Sequence, residues 1–159
     1  IKKNVTLIMS QKYLNFYNNL IKLATNKKLY IDFKSQDVFS DRLIFLLLHF
    51  TFFIKNFTSK ENEKILQEIY DYFFKYLELN IREIGYGDQS INKKMKDYIN
   101  LFHSMLDNFY KWDDHSKSEK NEKMSIFIEI SKKNEHLVDY FEDYYSNLKK
   151  SSLNSHIKV

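Results

Sequence analysis

The sequence contains no cysteine, no proline and only two glycines in 159 residues. The missing cysteine excludes disulfides, thiolate metal ligands and a cysteine nucleophile, and it suits a reducing compartment. The missing proline and scarce glycine remove the punctuation that strands need at short intervals, so long helices are expected. Long apolar runs are also scarce. The longest, Leu43 to Ile54, lies between Arg42 and Lys55 and is interrupted by His49, whereas a helix spanning a bilayer needs about 20 apolar residues. It is read as a central core helix, apolar nearly all round because other helices enclose it.

What is present supports a packed core. Hydrophobic residues make up 43% of the chain and aromatic residues 17%, which is too rich for disorder. Lys, Asn, Ile, Phe and Tyr all have AT-rich codons, so their totals carry little functional meaning and their positions carry more. The net charge of +4 permits attraction to RNA or anionic lipid without requiring it. Ile1 in place of an initiator methionine is compatible with a trimmed stretch. The length fits one domain. Residues 1–148 are expected to form it, as an all-α irregular bundle of about five or six helices around the central one, with 149–159 as a flexible tail.

Helical spacing of apolar residues places a first helix over about Thr6 to Leu23 and an ordered loop packed by Tyr30 and Phe33 after it. The central helix starts near Ser40 or Asp41 and ends around Asn56. A third helix, capped by Thr58 or Ser59, repeats Ile65, Ile69, Phe73, Tyr76, Leu77 and Ile84. Gly85 closes it, because glycine readily takes the left-handed conformation of a helix end. Gly87 completes the turn, and Asp88 or Ser90 caps a fourth helix with Ile91, Met95, Tyr98, Ile99, Phe102, Leu106 and Phe109 on one face. A turn this short makes the two helices an antiparallel hairpin. Trp112 to Asn121 reads as a polar loop. Met124, Phe127, Ile128 and Ile130 mark a short helix, and Leu137, Val138, Phe141, Tyr144, Tyr145 and Leu148 a last one.

Catalytic and metal motifs do not assemble. The five histidines stand at no ligand spacing, and His115 beside Asp113 and Asp114 reads as a solvated loop rather than a metal site. Gly85-Tyr86-Gly87-Asp88 resembles half of a phosphate loop but lacks the preceding strand and the following Lys-Ser/Thr. The serines have no nucleophile elbow. We therefore expect no catalytic residue, metal ligand or cofactor, and no enzyme. His49 is the exception to a bland reading. An imidazole inside the most apolar helix must find partners for its nitrogens, since an orphaned buried group costs about 1–3 kcal/mol. A neighbouring carboxylate or carbonyl is the expected partner.

Two segments resemble a known family. Asp37-Val38-Phe39-Ser40-Asp41-Arg42-Leu43, followed by Leu47-Leu48-His49, is similar to its pattern of an aspartate, a spacer, a basic residue and an apolar Leu-His helix, with Asp41 where glycine is common. Arg82-Glu83-Ile84-Gly85-Tyr86-Gly87-Asp88-Gln89-Ser90-Ile91-Asn92-Lys93-Lys94-Met95-Lys96 resembles more closely its Arg-Glu-Met-Gly-Val-Gly-Asp-x-Ser-Val-x-Lys-Arg-Met-Lys stretch. The family is the ubiquinol–cytochrome c chaperones, and the resemblance runs from about Tyr13 to Trp112. It implies a non-catalytic assembly factor whose client is cytochrome b or its assembly intermediate, acting with a small partner protein. It also implies contact with the ribosome or the membrane surface. The resemblance is to the bacterial type, implying the bacterial cytoplasm at the periphery of the inner membrane, or the mitochondrial matrix in a eukaryote.

Two groups of residues are candidates for that work. Arg82, Gly85, Tyr86, Gly87, Asp88, Ser90, Lys93, Lys94 and Lys96 form a hairpin turn with a basic cluster at a helix start. Cations there oppose the helix dipole by a few tenths of a kcal/mol each, a local cost that points to client or partner binding. Asp37, Asp41, Arg42 and His49 are expected to form a buried polar network at the mouth of the central helix, with His49 about 11 Å along it. The rival reading is a nucleic-acid- or ribosome-binding module using Lys93, Lys94 and Lys96 with Lys27 and Lys28. No helix-turn-helix signature supports specific DNA binding.

Overall fold

The computed structural model describes residues 2–30, 39–128 and 135–158, the side chains of residues 2–9 and 39 excepted. Helices α1 (Lys2–Ala24), α2 (Phe39–Phe57), α3 (Glu63–Glu83), α4 (Asp88–Phe109), α5 (Lys117–Ser125), α6 (Glu135–Lys149) and α7 (Leu153–His156) follow in order. Short 3-10 turns stand at Lys27–Tyr30 and Trp112–Asp114, and the described residues include no strand.

Helix α2 is the axis of the bundle. It packs against α1, α4 and α6, while α3 bridges α1 and α4. Being enclosed, it buries Leu43, Phe45, Leu46, Leu47, Leu48, Phe50, Phe52 and Phe53 around its circumference, which is why its sequence shows no polar face. Aromatic stacking knits the neighbours to it. The Phe50 ring lies 3.9 Å from that of Phe73 on α3 and 5.0 Å from Phe102 on α4. The Phe52 ring meets Phe109, Trp112 and Phe141 at 5.4, 5.1 and 5.3 Å. Such pairs add about 0.5–1.5 kcal/mol each beyond their buried area. No helix among the described residues is long and apolar enough to cross a membrane.

Helices α3 and α4 form the expected hairpin. Gly85 has φ +102°, and its N–H donates to the Arg82 carbonyl at 3.0 Å, closing the last turn of α3. The start of α3 differs from expectation. Residues 59–62 make a turn in which Ser59 Oγ accepts from the Asn62 N–H at 3.2 Å, so the helix begins at Glu63 rather than beside Ser59. The buried stripe also shifts to Leu66, Ile69, Phe73, Phe74, Leu77 and Ile81, leaving Ile84 exposed.

Three further readings are corrected. The stretch after α4 is largely exposed, as expected, but it is not all loop: Trp112 is 1% exposed, and α5 begins at Lys117 behind a capping box. There Ser116 Oγ accepts from the Glu119 N–H at 3.2 Å while Glu119 accepts from the Ser116 N–H at 3.3 Å. Charged residues around Trp112 had masked an indole that fills the space between α2 and α4. The expected tail instead carries α7, which buries Leu153 and sets His156 against the rings of Phe53 and Phe57, with Ile157 buried just beyond it. Asn15 Nδ2 on α1 donates to the Lys158 carbonyl at 3.1 Å. The helix at Met124 ends at Ser125, and Phe33 and Ile130 lie outside the described residues.

Candidate functional site

Every residue from Arg82 to Ser90 is exposed. This connection protrudes, yet one guanidinium braces it. Arg82 Nη1 donates to Asp88 Oδ1 at 2.6 Å, and Nη2 donates to Glu78 Oε1 at 3.0 Å. The bond to Asp88 ties the end of α3 to the start of α4, and the two carboxylates hold the guanidinium in its charged form. It also explains a departure from expectation. Asp88 does not cap α4: Gly87 occupies the N-cap position, and no side chain caps the helix, because the Asp88 carboxylate is turned back to Arg82.

The basic cluster lies directly beside this turn. Lys94 Nζ stands 4.5 Å from the centroid of the Tyr86 ring, close enough for a cation–π contact. Lys93 and Lys96 are exposed. None of the three lysines makes an ion pair among the described residues. Exposed apolar groups accompany them: Ile84 is 54% exposed, Leu79 47% and Tyr86 40%.

Ile84 also forms the rim of a cleft of about 360 Å³ between α1, α2 and α3. Its walls are Ile21, Ala24, Leu43, Leu46 and Leu77, with Thr25, Arg42, Asn80 and Glu83 among them. Asn80 Nδ2 donates to the Tyr17 hydroxyl at 2.6 Å, and burial pushes the Tyr17 phenol well above its ordinary range. The apolar stripe read along α3 continues to Ile84 on this side, but the neighbouring helices no longer cover it there. A cleft results where a core contact was expected.

The polar network has different members from those expected. His49 is fully buried. Its Nδ1 lies 2.6 Å from the Phe45 carbonyl and its Nε2 2.7 Å from the Tyr140 hydroxyl. A carbonyl only accepts, so Nδ1 carries the hydrogen and Tyr140 donates to Nε2. Burial pushes the Tyr140 phenol up to about 12, with the Asn26 side chain opposing the rise. The chain Tyr140–His49–Phe45 thus joins α6 to α2. Burial drives the His49 pKa down to about 4, against the opposing effect of its bond to Phe45. Both ring nitrogens are taken, so His49 does not bond to Asp41 or Arg42. Burial raises the Asp41 carboxyl, Arg42 lines the cleft, and Asp37 lies outside the described residues. The sequence did supply a signal for Tyr140: it falls between Leu137 and Phe141 at the edge of the α6 stripe.

A second, larger cleft of about 650 Å³ lies towards the other end of the α3–α4 hairpin, lined by Ile54, Leu66, Tyr70, Phe102, His103 and Leu106 among others. Tyr70 and His103 are paired there at 3.0 Å. Among the described residues no group of three or more His, Asp or Glu is placed to hold a metal ion. Asp113, read from sequence as part of a solvated loop, instead accepts from Lys149 Nζ at 2.9 Å and Tyr145 at 3.2 Å. It is a brace between α6 and the turn after α4.

Fold and site together define an all-helical bundle with a braced, lysine-rich turn beside an apolar cleft. The ubiquinol-cytochrome C chaperone family matches residues 32–115, just over half of the chain, and the chain belongs to that family. Membership carries the role of a chaperone in assembly of ubiquinol–cytochrome c reductase, and with it a protein client. The crystal structure of the Cbp3 homolog from Brucella abortus is similar over 96% of this chain and 88% of that one, with a TM-score of 0.74 at 21% identity. That likeness concerns the fold. Among curated proteins, none matches.

Proposed function

We propose that the chain holds cytochrome b, or an early intermediate containing it, during biogenesis of ubiquinol–cytochrome c reductase, and that the client docks on the turn and helix start from Arg82 to Lys96. The observation that carries this reading is the coincidence of exposed apolar side chains, unpaired lysines and an adjoining apolar cleft on a turn fixed by Arg82. Fully burying an isoleucine contributes about 1.5–3 kcal/mol, so the exposed half of Ile84 offers a client roughly half that. The lysines add long-range attraction that speeds encounter. Gly85 and Gly87 give the turn its path, Arg82 and Asp88 clamp it, and Ser90 lies on its exposed flank. Binding alone performs the task, and no bond in the client is made or broken. A small partner protein would share the client, and the working place would be the bacterial cytoplasm beside the inner membrane.

The test is a photo-crosslinking residue at position 86 in cells making cytochrome b. An adduct with cytochrome b is expected, and it should weaken in a Lys93→Ala, Lys94→Ala, Lys96→Ala variant whose helicity is unchanged. Adducts with other polypeptides but never with cytochrome b would overturn the assignment of the client. Absence of any adduct would overturn the site.

A further inference from the structure

Helix α5 is held to the bundle differently from its neighbours. Its nine residues bury one side chain, Met124, whereas α6 beside it buries Leu137, Val138, Phe141, Tyr145 and Leu148. A helix this short does not keep its shape in water unless it is packed. Its principal neighbour is α6, yet a polar cleft of about 540 Å³ lies between the two, lined by Lys117, Lys120, Val138, Asp139 and Glu142 among others. Two ion pairs span it. Lys117 Nζ meets Asp139 Oδ1 at 3.1 Å, with both side chains mostly exposed, and Lys120 Nζ meets Glu142 Oε1. The same ammonium stands over the Trp112 ring, 5.1 Å from its centroid, so α5 reaches across the indole. Around this seam Trp112 Nε1, His115 Nδ1 and Asn121 Oδ1 are buried without a hydrogen-bond partner among the described residues.

We propose that α5 is a displaceable strap: the segment from Ser116 to Ser125 lifts from α6 as a unit while the rest of the bundle stays folded. Opening bares Trp112 and frees Asp139 and Glu142 from their lysines. The closed state predominates, and the open one is a minority state reached far more often than global unfolding. Three features place the two states close in energy. Little apolar surface is lost, because Met124 is the one side chain that α5 buries. The ion pairs are weak attachments, since water and salt screen charges at an open surface. The orphaned polar atoms raise the energy of the closed state and gain water in the open one. What the strap covers is an aromatic surface that continues from Trp112 to the Phe109 ring, 5.3 Å away. Phe109 ends α4, at the far end of that helix from the turn assigned to the client, so the inference does not depend on that assignment.

Native methionines report the opening with no substitution at all. Met124 in the strap and Met105 in α4 are both fully buried, so dilute hydrogen peroxide reaches either thioether only when its surroundings open. Initial rates of sulfoxide formation are read by peptide mass spectrometry on the full wild-type chain. Met124 should oxidise about tenfold faster than Met105 or more. Its rate should ignore urea well below the unfolding midpoint, because local opening exposes little surface. High salt should speed Met124 about fivefold, and so should Lys120→Ala, which removes an ion pair and the contact over Trp112, with Met105 unchanged in both cases. Circular dichroism checks that the variant is folded, and amides from Lys120 to Ser125 should lose hydrogen-exchange protection in step with Met124. Equal rates at the two methionines would overturn the proposal, as would Lys120→Ala speeding both alike, since α5 would then leave only with the whole bundle. So would a Met124 rate indifferent to salt and to Lys120→Ala, or fast oxidation of Met124 while the α5 amides stay as protected as those of α4.

Discussion

Replacing His49 isolates one buried titration from all others in the chain. In the folded protein the imidazole is neutral, because burial removes water from its charged form, and its pKa falls to about 4 from an ordinary 6.5. In the unfolded chain it titrates normally. Between those two values the unfolded state binds the extra proton, so stability rises with pH across this window and is lost as the solution is acidified from 6.5 towards 4. The contribution is complete above 6.5. At pH 5 about 2 kcal/mol of it has gone, and about 3 kcal/mol by pH 4, taking 1.36 kcal/mol per pKa unit. Carboxylates titrate in the lower part of the same range, and burial lowers the His156 pKa as well. The informative quantity is therefore the difference between wild type and His49→Leu, which share those groups. Urea unfolding at pH 7.5, 6.5, 5.5 and 5 should show wild type losing about 2 kcal/mol more than the variant between the first and last points. A difference that stays flat across the series would refute the buried, doubly bonded imidazole and with it the Tyr140–His49 bond.

Three other outcomes are expected. Trp112 is the only tryptophan, so native emission should be blue-shifted and poorly quenched by acrylamide; emission typical of exposed indole would restore the solvated-loop reading, and Trp112→Ala should cost about 3–5 kcal/mol in chemical denaturation. Gly85→Ala should cost about 1–2 kcal/mol and lower the melting temperature by several degrees, because φ +102° is strained for any side chain even with open space around it; Gly87→Ala, at φ −71°, should cost clearly less, and equal losses would contradict the backbone assignment. Ser116→Ala should destabilise by about 1 kcal/mol through loss of the α5 cap, whereas Asp113→Ala, at a half-exposed site, should cost about 1 kcal/mol or less and fade in high salt; calorimetry at two ionic strengths separates the two effects.

Much of this protein is local, and local features are legible in residues. The absence of proline and the 3.6-residue repeat of Ile91, Met95, Phe102 and Phe109 specify a helix by spacing alone. Gly85 specifies a helix end by its backbone freedom, and the motif around Arg82–Lys96 placed the chain in its family. Leu43–Ile54 declared its burial by having no polar face, since nothing but a core or a bilayer tolerates such a segment, and its length decided between them. Tertiary structure alone decided the rest, because it depends on which surfaces meet. Trp112 sits amid charge in sequence and inside the core in space. Leu153 and Ile157 are too few to predict a packed terminus until Phe53 and Phe57 offer them a place. Ile84 continues an apolar stripe but becomes a cleft rim, because α1 and α2 leave it uncovered. His49 and Tyr140 are 91 positions apart and meet only because α6 packs on α2, and no one-dimensional pattern records that contact.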